Sequence, residues 1–136
     1  MNKLIKEIEF GEKVFKVAIN REIALKVAEE YPDFIAEVME RSTDYKDIST
    51  MVRDGKLREA LDTTDYLAKG CIPIVEYALP YMLAEAKSNE NAKDILDYAK
   101  ENDAIQTFSL GIWEIILMGF TNSGVVEAPK VKFTIK

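Results

Sequence analysis

The 136-residue sequence contains no histidine and only one cysteine, Cys71. Without histidine, the usual Ser-His-Asp and Cys-His catalytic arrangements cannot form, and zinc sites built on histidine or on several cysteines are excluded. A lone cysteine cannot close an internal disulfide, so a reducing compartment is expected. The glycine-rich motifs that bind nucleotide phosphates are also absent. We therefore expect a protein that is not an enzyme and that has no metal or other cofactor.

Lysine and arginine are outnumbered by acidic residues, 18 to 24, which gives a net charge of −6. An acidic surface repels phosphate backbones, so nucleic acid is not an expected partner. The longest apolar stretch, Leu110 to Phe120, is interrupted by Glu114 and is too short to cross a bilayer. The first residues carry charges where a signal peptide needs an apolar run. These features predict a cytoplasmic protein without a membrane partner.

Residues 1–19 predict a β-hairpin. Apolar and polar residues alternate in 4–10 and again in 13–19, and the turn Gly11-Glu12 separates the two runs. A hairpin alone is only marginally stable, so it must pack against other elements. The faces expected to be buried carry Leu4, Ile8 and Phe10 in the first strand and Phe15, Val17 and Ile19 in the second.

Residues 20–120 predict a helical body. Asn20 is expected to cap the first helix, and Pro32 is expected to end it and to begin a second. The polar segment 42–47 predicts a loop, and a short helical stretch after it ends at Asp54-Gly55.

The second half of this body predicts at least four further helical segments. The amphipathic segment 56–69 includes Leu57 and Leu61 in its apolar stripe. Gly70 is placed as its C-terminal cap and Pro73 as the start of the next helix. Pro80 removes an amide donor from that helix, so a kink or a break is expected there. Two more helices are predicted at about 91–101 and about 104–119.

The last helix is apolar almost all round, which is typical of a central helix. The segment 125–136 predicts a strand or a tail, because apolar residues alternate with polar ones from 130 onwards. This strand could join the hairpin as a third strand or form an exposed edge that pairs with another chain. The predicted fold class is α+β, mainly helical, with a small antiparallel sheet, in one domain over 1–136.

The candidate partner-binding residues lie in the last helix and the C-terminal strand. Trp113 belongs either to the core, which is the commoner role of a helical apolar stripe, or to a surface anchor for a partner. Glu114 is either a buried carboxylate with a raised pKa or, as we prefer, the solvent-facing edge of the helix. The full set is Leu110, Trp113, Glu114, Leu117, Val131, Phe133 and Ile135.

Two other features invite a functional interpretation and have a simpler structural one. Cys71 follows Gly70 and has Lys69 nearby, so a lowered thiol pKa is conceivable, but a free cysteine on an apolar face is usually a small buried side chain. Asp62 and Asp65 form a carboxylate pair, for which we favour a solvated helix face over acid–base chemistry.

The order of the elements resembles that of a known family. A hairpin, IKEIEFGEKVFKVAIN, leads directly into a helix, REIALKVAEEYPDF, and the helical middle is followed by a strongly apolar helix, FSLGIWEIILMGF. In element order, size and acidity the chain resembles the small tail assembly chaperones of siphophages and prophages of Gram-positive bacteria. The resemblance implies a non-enzymatic protein in the host cytoplasm. Such a protein coats the long, helical tape measure protein, or binds another tail component, while the tail tube polymerises.

The residues leave a second function open. The chain could be a small cytoplasmic adaptor or regulatory protein that forms a homodimer through the apolar late helix or through its edge strand. Both hypotheses predict a protein partner, and the first also allows a homo-oligomer. An enzyme that uses carboxylates alone would instead require a deep pocket with at least two convergent carboxylates.

Overall fold

The structure, a computed structural model, describes residues 3–121, 126–127 and 131–133. It has the predicted α+β fold, in which helices dominate and a small sheet contains the N-terminal hairpin. The strands are β1 (Leu4–Phe10), β2 (Lys13–Ile19), β3 (Val126–Glu127) and β4 (Val131–Phe133). The helices are α1 (Arg21–Glu30), α2 (Phe34–Arg53), α3 (Leu57–Glu85), α4 (Ala92–Glu101) and α5 (Ile105–Thr121).

The N-terminal hairpin forms as predicted. β1 and β2 pair in antiparallel register, and Phe10 lies opposite Lys13, so only Gly11 and Glu12 make the turn. Gly11 has a φ of 59°, a left-handed conformation that glycine adopts without the steric cost of a Cβ. The side chains predicted to face inward are buried: Leu4, Ile8, Phe10, Phe15, Val17 and Ile19.

The sheet is mixed, and not purely antiparallel as the sequence predicted. β4 pairs in parallel with β1, with Ile8 opposite Val131 and Phe10 opposite Phe133, and β3 pairs in parallel with the start of β1. The C-terminal strand therefore joins the hairpin, which was one of the two alternatives, while Ile135 lies outside the described residues. A parallel neighbour requires a long crossover, and the helices between β2 and β3 supply it.

Two short helices begin at side-chain caps. Asn20 caps α1 as predicted, since its Oδ1 accepts a hydrogen bond from the amide of Ile23 at 2.9 Å. Asn91 caps α4 in the same way and accepts from the amide of Asp94 at 2.8 Å. These caps fix where the two helices start.

α3 and α5 lie at the centre of the molecule. α3 contacts the other four helices and β2, and so does α5, as its almost entirely apolar sequence predicted. The ring of Phe108 in α5 stacks on that of Phe10 in β1 with 4.6 Å between centroids. Gly119 lies so close to Ile19 that a Cβ at this position would overlap its side chain. Aromatic stacking and this close approach together join α5 to the sheet.

α2 is longer than the sequence predicted. The segment 42–47, expected to be a loop, continues the helix without interruption. Its polar residues are compatible with a helix because Arg41 forms an ion pair with Asp44, one turn away, at 3.3 Å. The helix ends at Arg53, directly before the Asp54-Gly55 pair that was predicted to end it, and the φ of 78° at Gly55 is the left-handed conformation that commonly follows a helix end.

α3 is a single helix where the sequence predicted two, and it is not broken at Pro80. It runs through the expected cap and through both Pro73 and Pro80. The hydrogen bonds that these prolines remove would have been accepted by the carbonyls of Lys69 and Glu76. Both residues are exposed, so water can bind these carbonyls and the helix continues.

Gly70 is a contact point between α2 and α3 and not a helix cap. A Cβ at Gly70 would overlap the side chain of Arg41, which is 13% exposed. The guanidinium of Arg41 lies over the Tyr66 ring, 5.4 Å from its centroid, and pairs with Asp44. The glycine is therefore required by a cation that is enclosed between two helices.

Candidate partner-binding surface

Trp113 is a core residue. Its side chain is 1% exposed, and its indole N–H donates a hydrogen bond to the backbone carbonyl of Val38 in α2 at 3.1 Å. The indole ring also lies 6.1 Å from the ring of Tyr45. Of the two roles that the sequence left open, the structure places Trp113 in the core, and it does not present this side chain to a partner.

Three other candidates, Leu110, Val131 and Phe133, are half-buried and pack against the core. The ring of Phe133 meets that of Phe10 edge-on at 5.7 Å, and it occupies the space in which a Cβ on Gly111 would lie. These side chains hold the C-terminal strand against α5 and the sheet. Their contacts are therefore contacts within this chain.

Glu114 and Leu117 line an open groove between α2 and α5. The cavity volume of the groove is about 240 Å³. Glu114 faces solvent, as preferred from the sequence, yet its apolar surroundings partly desolvate the carboxylate and raise its pKa. The lining residues are Ser42, Tyr45, Lys46, Trp113, Glu114, Leu117 and Met118.

Cys71 is a buried core residue, and its surroundings do not favour a lowered thiol pKa. Its side chain is buried, and burial raises the pKa of the thiol to about 12 although the nearby Arg41 acts in the opposite direction. Asp62 and Asp65 are both exposed, which agrees with a solvated helix face. Neither feature provides a reactive group.

A stripe that is apolar except at Arg41 runs the length of α2 in alternating steps of four and three residues, a spacing typical of helices that pack on another helix. Its first half is covered by the rest of the chain, whereas in its second half Ile48 still packs against the core and the members on either side of it are exposed. Tyr45 is 49% exposed and Val52 is 53% exposed, and no residue from 39 to 59 is fully buried. The members of the stripe are Phe34, Val38, Arg41, Tyr45, Ile48 and Val52.

α3 carries a second stripe with the same spacing. Here the N-terminal half is exposed and the C-terminal half is covered, which is the opposite of the order in α2. Its later members are buried between α5 and the sheet, whereas Leu57 and Leu61 are 60% and 68% exposed. The sequence placed both leucines in the apolar face of an amphipathic helix, and in the structure this part of the face is exposed. The members are Leu57, Leu61, Thr64, Ala68, Cys71, Val75, Ala78 and Met82.

The two exposed half-stripes belong to one surface. α2 and α3 form an antiparallel helical hairpin, because Arg41 contacts Gly70 while Met51, further along α2, accepts a hydrogen bond from Thr63 at 3.6 Å. Both stripes face the core where they are buried, so their continuations face the same side of the hairpin. We call the exposed members, Tyr45, Val52, Leu57 and Leu61, the hairpin surface.

This surface was not predicted, because the sequence patterns indicated a break in each of the two helices that form it. The expected loop at 42–47 and the expected cap at Gly70 each shortened a helix that is in fact continuous. A signal was present in the sequence, since each stripe keeps its spacing across the presumed break. The continuous α3 is about 43 Å long. This length exceeds the extent of the hydrophobic core expected for a domain of this size.

Within the described ranges, no group of three or more cysteine, aspartate or glutamate side chains could hold a metal ion. The helices of the same ranges include none that is long and apolar enough to cross a membrane. Comparison of the chain with protein-family models, with curated proteins and with solved structures finds no match. Among the described residues, the hairpin surface and the groove beside it have a geometry that suits the binding of another protein.

Proposed function

We propose that this protein is a non-enzymatic tail assembly chaperone of siphophage or prophage origin, which binds the tape measure protein in the host cytoplasm. The observation that supports the proposal is the hairpin surface, where apolar side chains at heptad spacing are left exposed on two neighbouring helices. Such a surface is typical of sites that bind a helix by its apolar face. A tape measure protein is long and helical, so it offers many such faces.

The size of the surface fits a reversible contact. Four exposed side chains, of which none is charged, give a small apolar area compared with a stable interface. One copy would therefore bind weakly, and many copies along a single long chain would bind by avidity. Weak individual contacts also allow release as the tail tube forms around the tape measure protein.

The test is co-expression with the long helical chain encoded beside the gene for this protein. We expect the tagged protein to keep that chain soluble and to co-purify with it. The variant Leu61→Asp places a charge in the hairpin surface and is expected to lose both effects. Leu25→Asp is a matched control, because Leu25 lies on α1 and is 57% exposed, close to the 60% of Leu57. Failure of the wild-type protein to co-purify with the long chain would rule out the proposal.

A homodimeric adaptor is the second candidate function. Trp113 is buried, so dimerisation would use the outer edge of β2, which pairs only with β1 among the described strands and where Val14 is 54% exposed. Sedimentation of the purified protein distinguishes the two. A tight dimer that Val14→Pro abolishes would favour the adaptor, because proline removes an amide donor from that edge.

A further inference from the structure

The apolar stripe of α2 is covered by another helix over only part of its length. α5 covers the first part, since the Trp113 indole is hydrogen-bonded to Val38 and lies close to the Tyr45 ring. Beyond Tyr45 the stripe continues through Ile48, which still packs against the core, to the exposed Val52, and the exposed part of the α3 stripe lies beside it. A partner helix that lies along this second part would pack on α2 in the same way as α5 packs on the first part.

The tip of the helical hairpin formed by α2 and α3 is basic, although the chain as a whole is acidic. Residues 46–58 hold four cations and two anions in a chain whose net charge is −6, and the next acidic residues, Glu59 and Asp62, lie beyond this tip on either side of Leu61. Arg53, Lys56 and Arg58 are exposed, and none of them takes part in an ion pair recorded for the described residues. Lys56 and Arg58 lie at the N-terminus of α3, where the helix dipole favours anions, so their charges do not stabilise the helix.

We infer that the hairpin surface binds an amphipathic helix of a partner protein that has apolar residues at heptad spacing and acidic residues beside them. The apolar residues of that helix cover Val52, Leu57 and Leu61, and its acidic residues pair with the cations at the tip. The inference rests on the proposed function for the identity of the partner. It adds the chemistry by which the partner is recognised.

A second copy of this chain is a poorer occupant of the same surface. Two hairpin surfaces that meet about a two-fold axis would bring Arg53, Lys56 and Arg58 of one copy close to the same cations of the other. Like charges that approach each other at an interface oppose binding. An acidic helix meets the opposite charge at each of these positions.

Designed peptides test this recognition directly. The first labelled peptide has leucine at the heptad a and d positions and glutamate at e and g, the second has lysine in place of each glutamate, and the third keeps the glutamates but scrambles the leucine spacing. Fluorescence anisotropy gives the dissociation constant of each peptide for the full chain. We expect the glutamate peptide to bind at least about tenfold more tightly than either of the others.

Three variants locate the binding site. Leu61→Asp is expected to weaken binding of the glutamate peptide by at least about tenfold, because an apolar contact is lost and a like charge is added. Leu25→Asp is expected to leave binding unchanged. The double variant Lys56→Glu with Arg58→Glu is expected to reverse the preference, so that the lysine peptide binds more tightly. Circular dichroism establishes that each variant is folded, and the double variant tests the inference even if Leu61→Asp does not fold.

Equal affinities for the glutamate and lysine peptides would overturn the inference, as would a dissociation constant that Leu61→Asp does not change. Self-association of the chain that Leu61→Asp abolishes would show that the occupant is a second copy. The two proposals can fail separately. If the tape measure protein co-purifies with Leu61→Asp as well as with the wild type, the function stands and the inference fails. If the glutamate peptide binds as expected but the tape measure protein does not co-purify, the inference stands and the function fails.

Discussion

At the scale of single residues, Trp113 links two helices by a polar contact inside an apolar core. Its N–H donates a hydrogen bond to the carbonyl of Val38, and both residues are almost fully buried. A buried indole N–H without an acceptor costs free energy, because water that would have bound it in the unfolded chain is absent. This tryptophan is therefore required for the position of α2 against α5.

Trp113→Phe is expected to lower the free energy of unfolding by about 1–3 kcal/mol, because it removes the hydrogen bond between α5 and α2 and because the smaller ring leaves a cavity. Urea denaturation followed by circular dichroism measures the change. The control is Tyr66→Phe, at an aromatic residue that is 61% exposed. It is expected to change the free energy by no more than about 0.5 kcal/mol. Equal losses in the two variants would contradict the role of the hydrogen bond.

Glu114 predicts a pH dependence of stability. Desolvation raises the pKa of its carboxyl above the ordinary value of 4.5, so the folded chain holds this proton more tightly than the unfolded chain does. Stability from this group is therefore present at low pH and is lost as the pH rises through the raised pKa. We expect Glu114→Gln to be more stable than the wild type at pH 7, and the difference to shrink as the pH is lowered towards 4. Urea unfolding at several pH values measures it, and a difference that grows on acidification would contradict the assignment.

At the scale of elements, Gly119 sets the distance between α5 and β2. Gly119→Ala adds a good helix former, which by itself would stabilise α5 by up to about 1 kcal/mol. The added methyl overlaps Ile19, a fully buried side chain on a strand that cannot easily shift, so we expect a net destabilisation of about 1–3 kcal/mol. Thr107→Ala, at an exposed position of the same helix, is the control. Thermal unfolding of both variants measures the effect, and a stabilised Gly119→Ala would show that the strand can move.

The elements also show where the sequence was sufficient and where it was not. Local sequence patterns predicted three elements that the structure contains: the N-terminal β-hairpin, the Asn20 cap and the late apolar helix α5. The errors in α3 fall at Gly70, Pro73 and Pro80, where local rules favour an end or a break. There α3 continues because contacts on one side, Arg41 at Gly70 above all, and water on the other outweigh the local preference.

The candidate site was less predictable than the fold. Trp113 and Leu61 look alike in the sequence, since each lies on an apolar stripe of a helix. The structure buries the first and exposes the second, and the difference depends on which other elements lie beside them. The spacing of a stripe identifies the face that packs, but it does not identify how far along the helix the partner elements extend.

At the scale of the whole molecule, stability is expected to be uneven. In the distal part of the helical hairpin, residues 46–53 of α2 and 57–63 of α3, only Ala60 is fully buried, whereas residues 67–83 of α3 run through the core. Local opening needs to break only the contacts that a segment makes, so the distal part is expected to open without global unfolding. Hydrogen exchange followed by mass spectrometry should give protection factors at least about tenfold lower there than in 67–83, a difference of about 1.4 kcal/mol. Equal protection in both parts would show that the hairpin opens only with the core.

The parallel pairing of β4 with β1 has a consequence for the newborn chain. β1 and β2 leave the ribosome early and can pair at once, because only two residues separate Phe10 from Lys13. On the second edge of β1, the part from Ile8 to Phe10 stays open until Val131, 123 residues after its partner Ile8, has been translated. A nascent chain that stalls before this point carries an unpaired strand edge beside Phe10, an open template for misassembly with its neighbours on the polysome.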